Sequence, residues 1–266
     1  MKTILYIVSL AIVISAMVLT KGCKKPEVDP IIPTPSGQLQ INFDFYAEEA
    51  PLIYDSLMYV NEAGNHYLVY EVQYFITRLT IYKNGVAKVL NSWENEHYID
   101  TEIPKTLEWL VVDKIDVGSY DSISFILGFN DSDNASFMFI NPPESQMDWP
   151  EYDGGGYHYM KLNGKWKSPE GYLRGSAFHL GRGQVYDANH VPISFIDNSF
   201  RVSLQGSNFE ITNSTITSLT LRMHIEEWFK NPEAYNFNDF GGDIMENQEA
   251  MAKACRNGWN VFSIVK

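Results

Sequence analysis

Apolar residues recur mainly at every second position in this chain. Ile41, Phe43 and Phe45 alternate with Asn42, Asp44 and Tyr46, the period of a half-buried strand. Tyr67 to Tyr82 (YLVYEVQYFITRLTIY) is β-branched and aromatic throughout and reads as a strand pair or one long bent strand. Lys83-Asn84-Gly85 follows as a hairpin turn, since Asn-Gly tolerates positive φ. Further strands are expected over 86–90, 97–99, 122–129, 157–162, 172–179, 191–195, 199–205 and 216–226, separated by turns rich in Gly, Asn, Asp and Pro. Residues 48–61 read as loop, and 103–113 as loop with a turn of helix. The clear helix is 244–257, with Asp243 as its cap and Asn257-Gly258 as its end, before strand spacing returns in WNVFSIV. These elements predict an all-β fold, an antiparallel β-sandwich with one C-terminal helix.

The N-terminus has a different pattern. Lys2 precedes an apolar run from Ile4 to Leu19, which ends at Thr20-Lys21-Gly22-Cys23. A charged start, an apolar middle and a small residue before the cut make a secretory signal. The run is short for a membrane span, which needs roughly twenty residues. The Cys after Gly22 makes the segment resemble a lipoprotein signal, which implies lipidation of Cys23. Lys24 to Gly37 has four prolines and no period, as expected of an extended tether. The expected organisation is a signal peptide at 1–22, a Pro-rich tether at 23–37 and one domain at 38–266. The expected location is the bacterial cell envelope, at the outer membrane, through a lipid anchor at Cys23.

Composition narrows the function classes. Net charge is −13, and loss of Lys2 and Lys21 with the signal makes it −15. Such an acidic chain is not expected to bind nucleic acid, whose phosphates call for basic patches. With only two cysteines, and Cys23 lipidated, Cys255 has no partner within the chain and reads as a small buried hydrophobe. No Gly-x-Ser-x-Gly, His-Glu-x-x-His or phosphate-cradling loop is present, so no enzyme activity is expected.

Candidate chemistry is densest in MDWPEYDGGGYHYMKLNGKW, residues 147–166. Gly154, Gly155 and Gly156 permit a sharp turn or a close backbone approach, and Tyr157 and His158 follow at once. In GYLRGSAFHLGRG, residues 171–183, His179 stands before a second glycine turn. If the two runs are hairpin partners, His158 and His179 face one another. Two imidazoles completed by a carboxylate or water form a plausible metal site. Asp148 is the expected third ligand, with Glu151 and Asp153 nearby, and Trp149, Glu151, Gly154–Gly156 and Tyr157 form the binding loop. Binding would then fall below about pH 6, where an ordinary imidazole is protonated. His97 reads as a half-exposed strand residue, His66 and His190 as solvated, and His224 as lying on the polar face of its strand.

These runs resemble the MbnP-like family of secreted proteins. The likeness lies in the order Met147-Asp148-Trp149, Gly156-Tyr157, Lys161-Leu162-Asn163-Gly164 and His179-Leu180-Gly181. It extends to Gly64-Asn65-His66-Tyr67, to His97-Tyr98-Ile99-Asp100, to Gly118, Tyr120, Phe125 and Gly128, and to residues 238–262. The resemblance implies copper as the bound metal, with zinc second, and a haem-protein partner, because methanotroph members bind copper and are encoded beside a di-haem protein. Two departures matter. The second Trp of the family's Met-x-Trp-x-Trp run is Glu151 here, and the His of its His-Pro-Leu is Asn141, followed by Pro142-Pro143. The oxidised-Trp copper site therefore does not carry over whole. His158 is inferred to replace the lost ligand, and no kynurenine is expected at Trp149. The sequence-level alternative is a carbohydrate-binding module of a cell-envelope lipoprotein, with Trp93, Trp109, Trp149 and Trp166 as stacking platforms.

Overall fold

A computed structural model describes residues 34–90 and 96–266. Cys23, the signal segment, most of the tether and Trp93 lie outside the described residues. Pro35–Lys266 make one compact unit. Its main elements are β1 (Ser36–Ala47), β2 (His66–Lys83), β3 (Val86–Val89), β4 (Glu96–Asp100), β5 (Ser122–Leu127), β6 (Met160–Lys167), β7 (Leu173–Leu180), β8 (Gly183–Tyr186), β9 (Pro192–Ile196), β10 (Phe200–Leu204), β11 (Ile216–His224), α1 (Gln248–Asn257) and β12 (Phe262–Val265). β1 starts at Ser36, inside the stretch read as tether.

The first sheet runs β12–β11–β1, with the short strands Ala50–Pro51, Glu108–Leu110 and Ile115–Asp116 also paired to β1. The second runs β7–β6–β2–β5–β10, with Tyr59–Val60, β3 and β4 on the other edge of β2. Pairing is antiparallel except between β1 and β11, which run parallel with Phe43 opposite Leu221. Alternation puts Leu39, Ile41, Phe43 and Phe45 of β1 into the core, each contributing about 1.5–3 kcal/mol of burial. Tyr74 of β2 meets Phe43, Phe45 and Phe262 edge-on or tilted, which joins the two inner faces.

The run from Tyr67 to Tyr82 is one strand, bent near Arg78. Arg78 takes φ 51°, and the pairing with β5 slips a register between Ser124 and Ile126. The helix begins later than its periodicity suggests. Asn247, not Asp243, caps α1 by accepting from Ala250 N, while Asp243 turns to Met245 N. Residues 128–159 hold no strand, only two short 3-10 turns, Glu144–Met147 and Glu151–Asp153. This long connection folds over the outer face of the second sheet. There Phe75 of β2 packs beneath Phe129, Phe139 and Tyr157. The bend at Arg78 also anchors the connection, because the guanidinium pairs with Asp133 at 2.6 Å.

Candidate metal centre

The register of the second sheet sets out a polar row on its outer face. Asp100 pairs with Gln73, Gln73 with Lys161, and Lys161 with His179. The next row holds Glu71 opposite Asn163. Each lies one residue away from an inward-facing apolar side chain, as strand geometry requires. His179 thus stands near the end of β7. His158 is not in a strand; it lies two residues before β6, at the close of the long connection. Tyr159 N donates to Leu180 O at 2.7 Å and brings the two histidines together. Their ring centroids are 5.2 Å apart at 78°.

The glycine run makes this return possible. Gly154, Gly155 and Gly156 take φ of 110°, 63° and 85°, a left-handed path that side chains disfavour. At Gly156 a Cβ would also stand 2.4 Å from Asn134 Oδ1. The turn is then fastened by Gly156 N to Ser136 Oγ and Tyr157 N to Asn134 Oδ1. Trp149 is buried and meets His158 edge-on at 4.7 Å, with its Nε1 donating to Asp153 O. Gly181 leaves space for that indole, since a Cβ there would lie 2.4 Å from Trp149 Cε3.

Each imidazole has one nitrogen engaged. His158 Nδ1 lies 3.1 Å from Met147 O. A carbonyl only accepts, so Nδ1 carries the proton. His179 Nε2 lies 2.7 Å from Asn163 Oδ1, and Asn163 Nδ2 donates to Glu71 Oε2 at 2.6 Å. That makes His179 Nε2 the protonated nitrogen. Its Nδ1 is buried and has no hydrogen-bond partner among the described residues.

Both rings stay neutral. Burial pushes the His158 pKa well below the usual value, and the Lys161 charge and His179 push it further; the Met147 and Asp148 backbone pulls back. His179 is held down to about 3, by burial first and Lys161 second. Lys161 donates to Gln146 O at 2.8 Å, and burial lowers its own pKa.

The third expected ligand is placed differently. Asp148 is exposed, in an isolated bridge with Tyr157. Among the described residues no group of three or more His, Cys, Asp or Glu side chains is positioned to hold a metal ion. Glu151 is exposed on its turn. His97 lies elsewhere, stacked between Phe43 and Trp109 with Nε2 on Thr106 O. The Cys255 thiol is pushed up to about 12 by burial, which makes it unreactive. Sequence reasoning missed Asn163 and Glu71 as supports of His179, and Lys161 as the neighbouring charge. Their signal was the alternation of Lys161 and Asn163 about the inward Leu162.

The structure is therefore a β-sandwich with a long connection laid over one sheet and a buried histidine pair beneath it. Residues 36–247 match the MbnP family, and the chain belongs to that family. The chain is similar to the solved MbnP from Methylosinus trichosporium at 14% identity and a TM-score of 0.49, over 73% of this chain and 78% of that one. No curated protein matches it.

Proposed function

We propose that this chain is an extracytoplasmic lipoprotein whose MbnP domain binds copper without catalysing a reaction, through His158 and His179. The observation that carries the reading is the pair of neutral imidazoles 5.2 Å apart, with His179 Nδ1 buried and unpartnered among the described residues. Metal-binding histidines ordinarily donate their other N–H to a carbonyl or carboxylate, which fixes the ring and its tautomer. Met147 O serves His158 in this way, and Asn163 backed by Glu71 serves His179.

The surroundings favour a soft, low-charge ion. Imidazole suits copper and zinc over calcium and magnesium. Zinc calls for about four ligands in a closed site, and the described residues supply no third His, Cys, Asp or Glu here. Monovalent copper accepts two nitrogen donors and tolerates the Lys161 charge better than a divalent ion does. The carbohydrate alternative loses its platforms at Trp109, Trp149 and Trp166, which are all buried.

Anaerobic copper(I) titration, beside copper(II) and zinc, tests the site. Wild type should bind one copper(I), and His158→Ala and His179→Ala should each lose it. Equal affinity in all three proteins removes the histidines from the site. A glycan panel run in parallel tests the alternative. Anchoring rests on the short apolar run ending at Gly22-Cys23. Cys23→Ser should release a soluble form or leave the precursor uncut, and a wholly soluble wild type with a free thiol at Cys23 refutes the anchor.

A further inference from the structure

A second buried polar group lacks a hydrogen-bond partner among the described residues. Asp153 ends the turn Glu151–Asp153, and the residue is 1% exposed. Its backbone carbonyl accepts from Trp149 Nε1 and Gln184 Nε2. Its carboxylate does not fare as well: Oδ2 is buried and finds no hydrogen-bond partner among the described residues. Gln184 is buried too, and its Oε1 is another acceptor with no donor among the described residues. Buried acceptors are normally met by a donor, a water or a cation, because the bare group forfeits its hydration.

Asp153 opens onto a cavity of about 430 Å³ lined by Tyr152, Asp153, Asp243, Met245, Glu246 and Asn247. Three of these are carboxylates, and none is Lys or Arg. Burial, and then the Glu246 charge, holds the Asp153 carboxyl up at about 6. The Tyr186 phenol is raised by burial and then by the charges of Asp153 and Glu246.

We propose that this cavity binds a hard divalent cation of the calcium class, with Asp153 as the buried ligand and Asp243 and Glu246 closing over it. Oxygen donors without imidazole or thiolate select calcium over copper and zinc, so the site differs in chemistry from the histidine pair. The carboxylates are not gathered into a finished chelate. Asp243 and Glu246 are exposed, on the stretch leading into α1. Water and carbonyls would complete the six to eight oxygens calcium takes. A bound ion would tie the Gly154–Gly156 turn, which carries the chain back to His158, to the C-terminal segment.

Terbium luminescence sensitised by Tyr152, with calcium displacement and thermal melts, tests this on the full chain. Wild type should bind terbium saturably, release it to calcium and melt higher with calcium present. Glu246→Gln, at an exposed position, should weaken calcium about tenfold, as ligand charge sets affinity. Asp153→Asn should abolish binding, and His158→Ala should leave it unchanged. Absence of saturable terbium or calcium binding by folded wild type overturns the proposal, as does equal affinity in both carboxylate variants. It is also overturned if Asp153→Asn melts higher than wild type and neither responds to calcium, because that marks a carboxyl satisfied by a proton.

Discussion

Stability toward acid should depend on His97. The ring is stacked at 5.4 Å on Phe43 and at 4.7 Å on Trp109, and its Nε2–H donates to Thr106 O at 2.9 Å. Burial holds its pKa down to about 4, with the Thr106 carbonyl pulling partly back. The unfolded chain regains the ordinary value of about 6.5. Between those values the unfolded state binds a proton that the folded state refuses, so stability is full above pH 6.5 and lost as pH falls toward 4. Linkage gives a loss of about 2 kcal/mol by pH 5 and about 3 kcal/mol once pH is below 4, a large part of the ~5–15 kcal/mol typical of a domain.

His97→Phe keeps a ring in the stack and removes the titration. It strands the Thr106 carbonyl and should cost about 1–3 kcal/mol at pH 7. The stability difference should then shrink with acid and reverse between about pH 5 and 4 if the cost lies near 2 kcal/mol. Urea unfolding of both proteins at pH 7.5, 6, 5 and 4.5, with m-values compared to confirm the same transition, measures this. Parallel stability curves, differing by a constant within about 0.5 kcal/mol, would falsify the reasoning.

Other consequences follow from the histidine pair and its turn. Asn163→Leu frees the His179 Nε2–H from its support and should weaken copper(I) about 10–100-fold, measured against a competing chelator. Because His179 is held down to about 3, copper affinity should change little from pH 7 to 5 in folded protein. This replaces the fall below about pH 6 expected of an ordinary imidazole, and competition titrations at three pH values check it. Gly156→Ala forces a side chain into φ 85° and against Asn134, and should cost about 1–3 kcal/mol. Faster limited proteolysis within residues 128–159 would report that loss.

Local signals made much of the fold legible. Period-two alternation located β1, β10 and β11 to within a few residues, because each buries one face and leaves the other partly open; β5, buried on both faces, reads instead as a short β-branched and apolar run. Asn84 and Gly85 do take positive φ, at 52° and 75°, between β2 and β3. The glycine run and the His-Leu-Gly turn pointed to His158 and His179, whose rings the structure brings into contact. The helix start was misplaced because Asp243 and Asn247 are both good caps by type, and only packing chose between them.

Taken alone, the residue pattern determined which segments are strands, where the chain must turn left-handed, and which side chains carry soft donor chemistry. These are properties of a residue and its near neighbours. Tertiary structure decided the parallel pairing of Phe43 with Leu221, the Glu71–Asn163–His179 chain, and the placing of Asp153 and Glu246 at one cavity. Each joins residues far apart in sequence, so no local period records it. Protonation was decided there as well. A histidine that would titrate near 6.5 in water is held neutral only because a connection of some thirty residues covers it and Lys161 stands beside it.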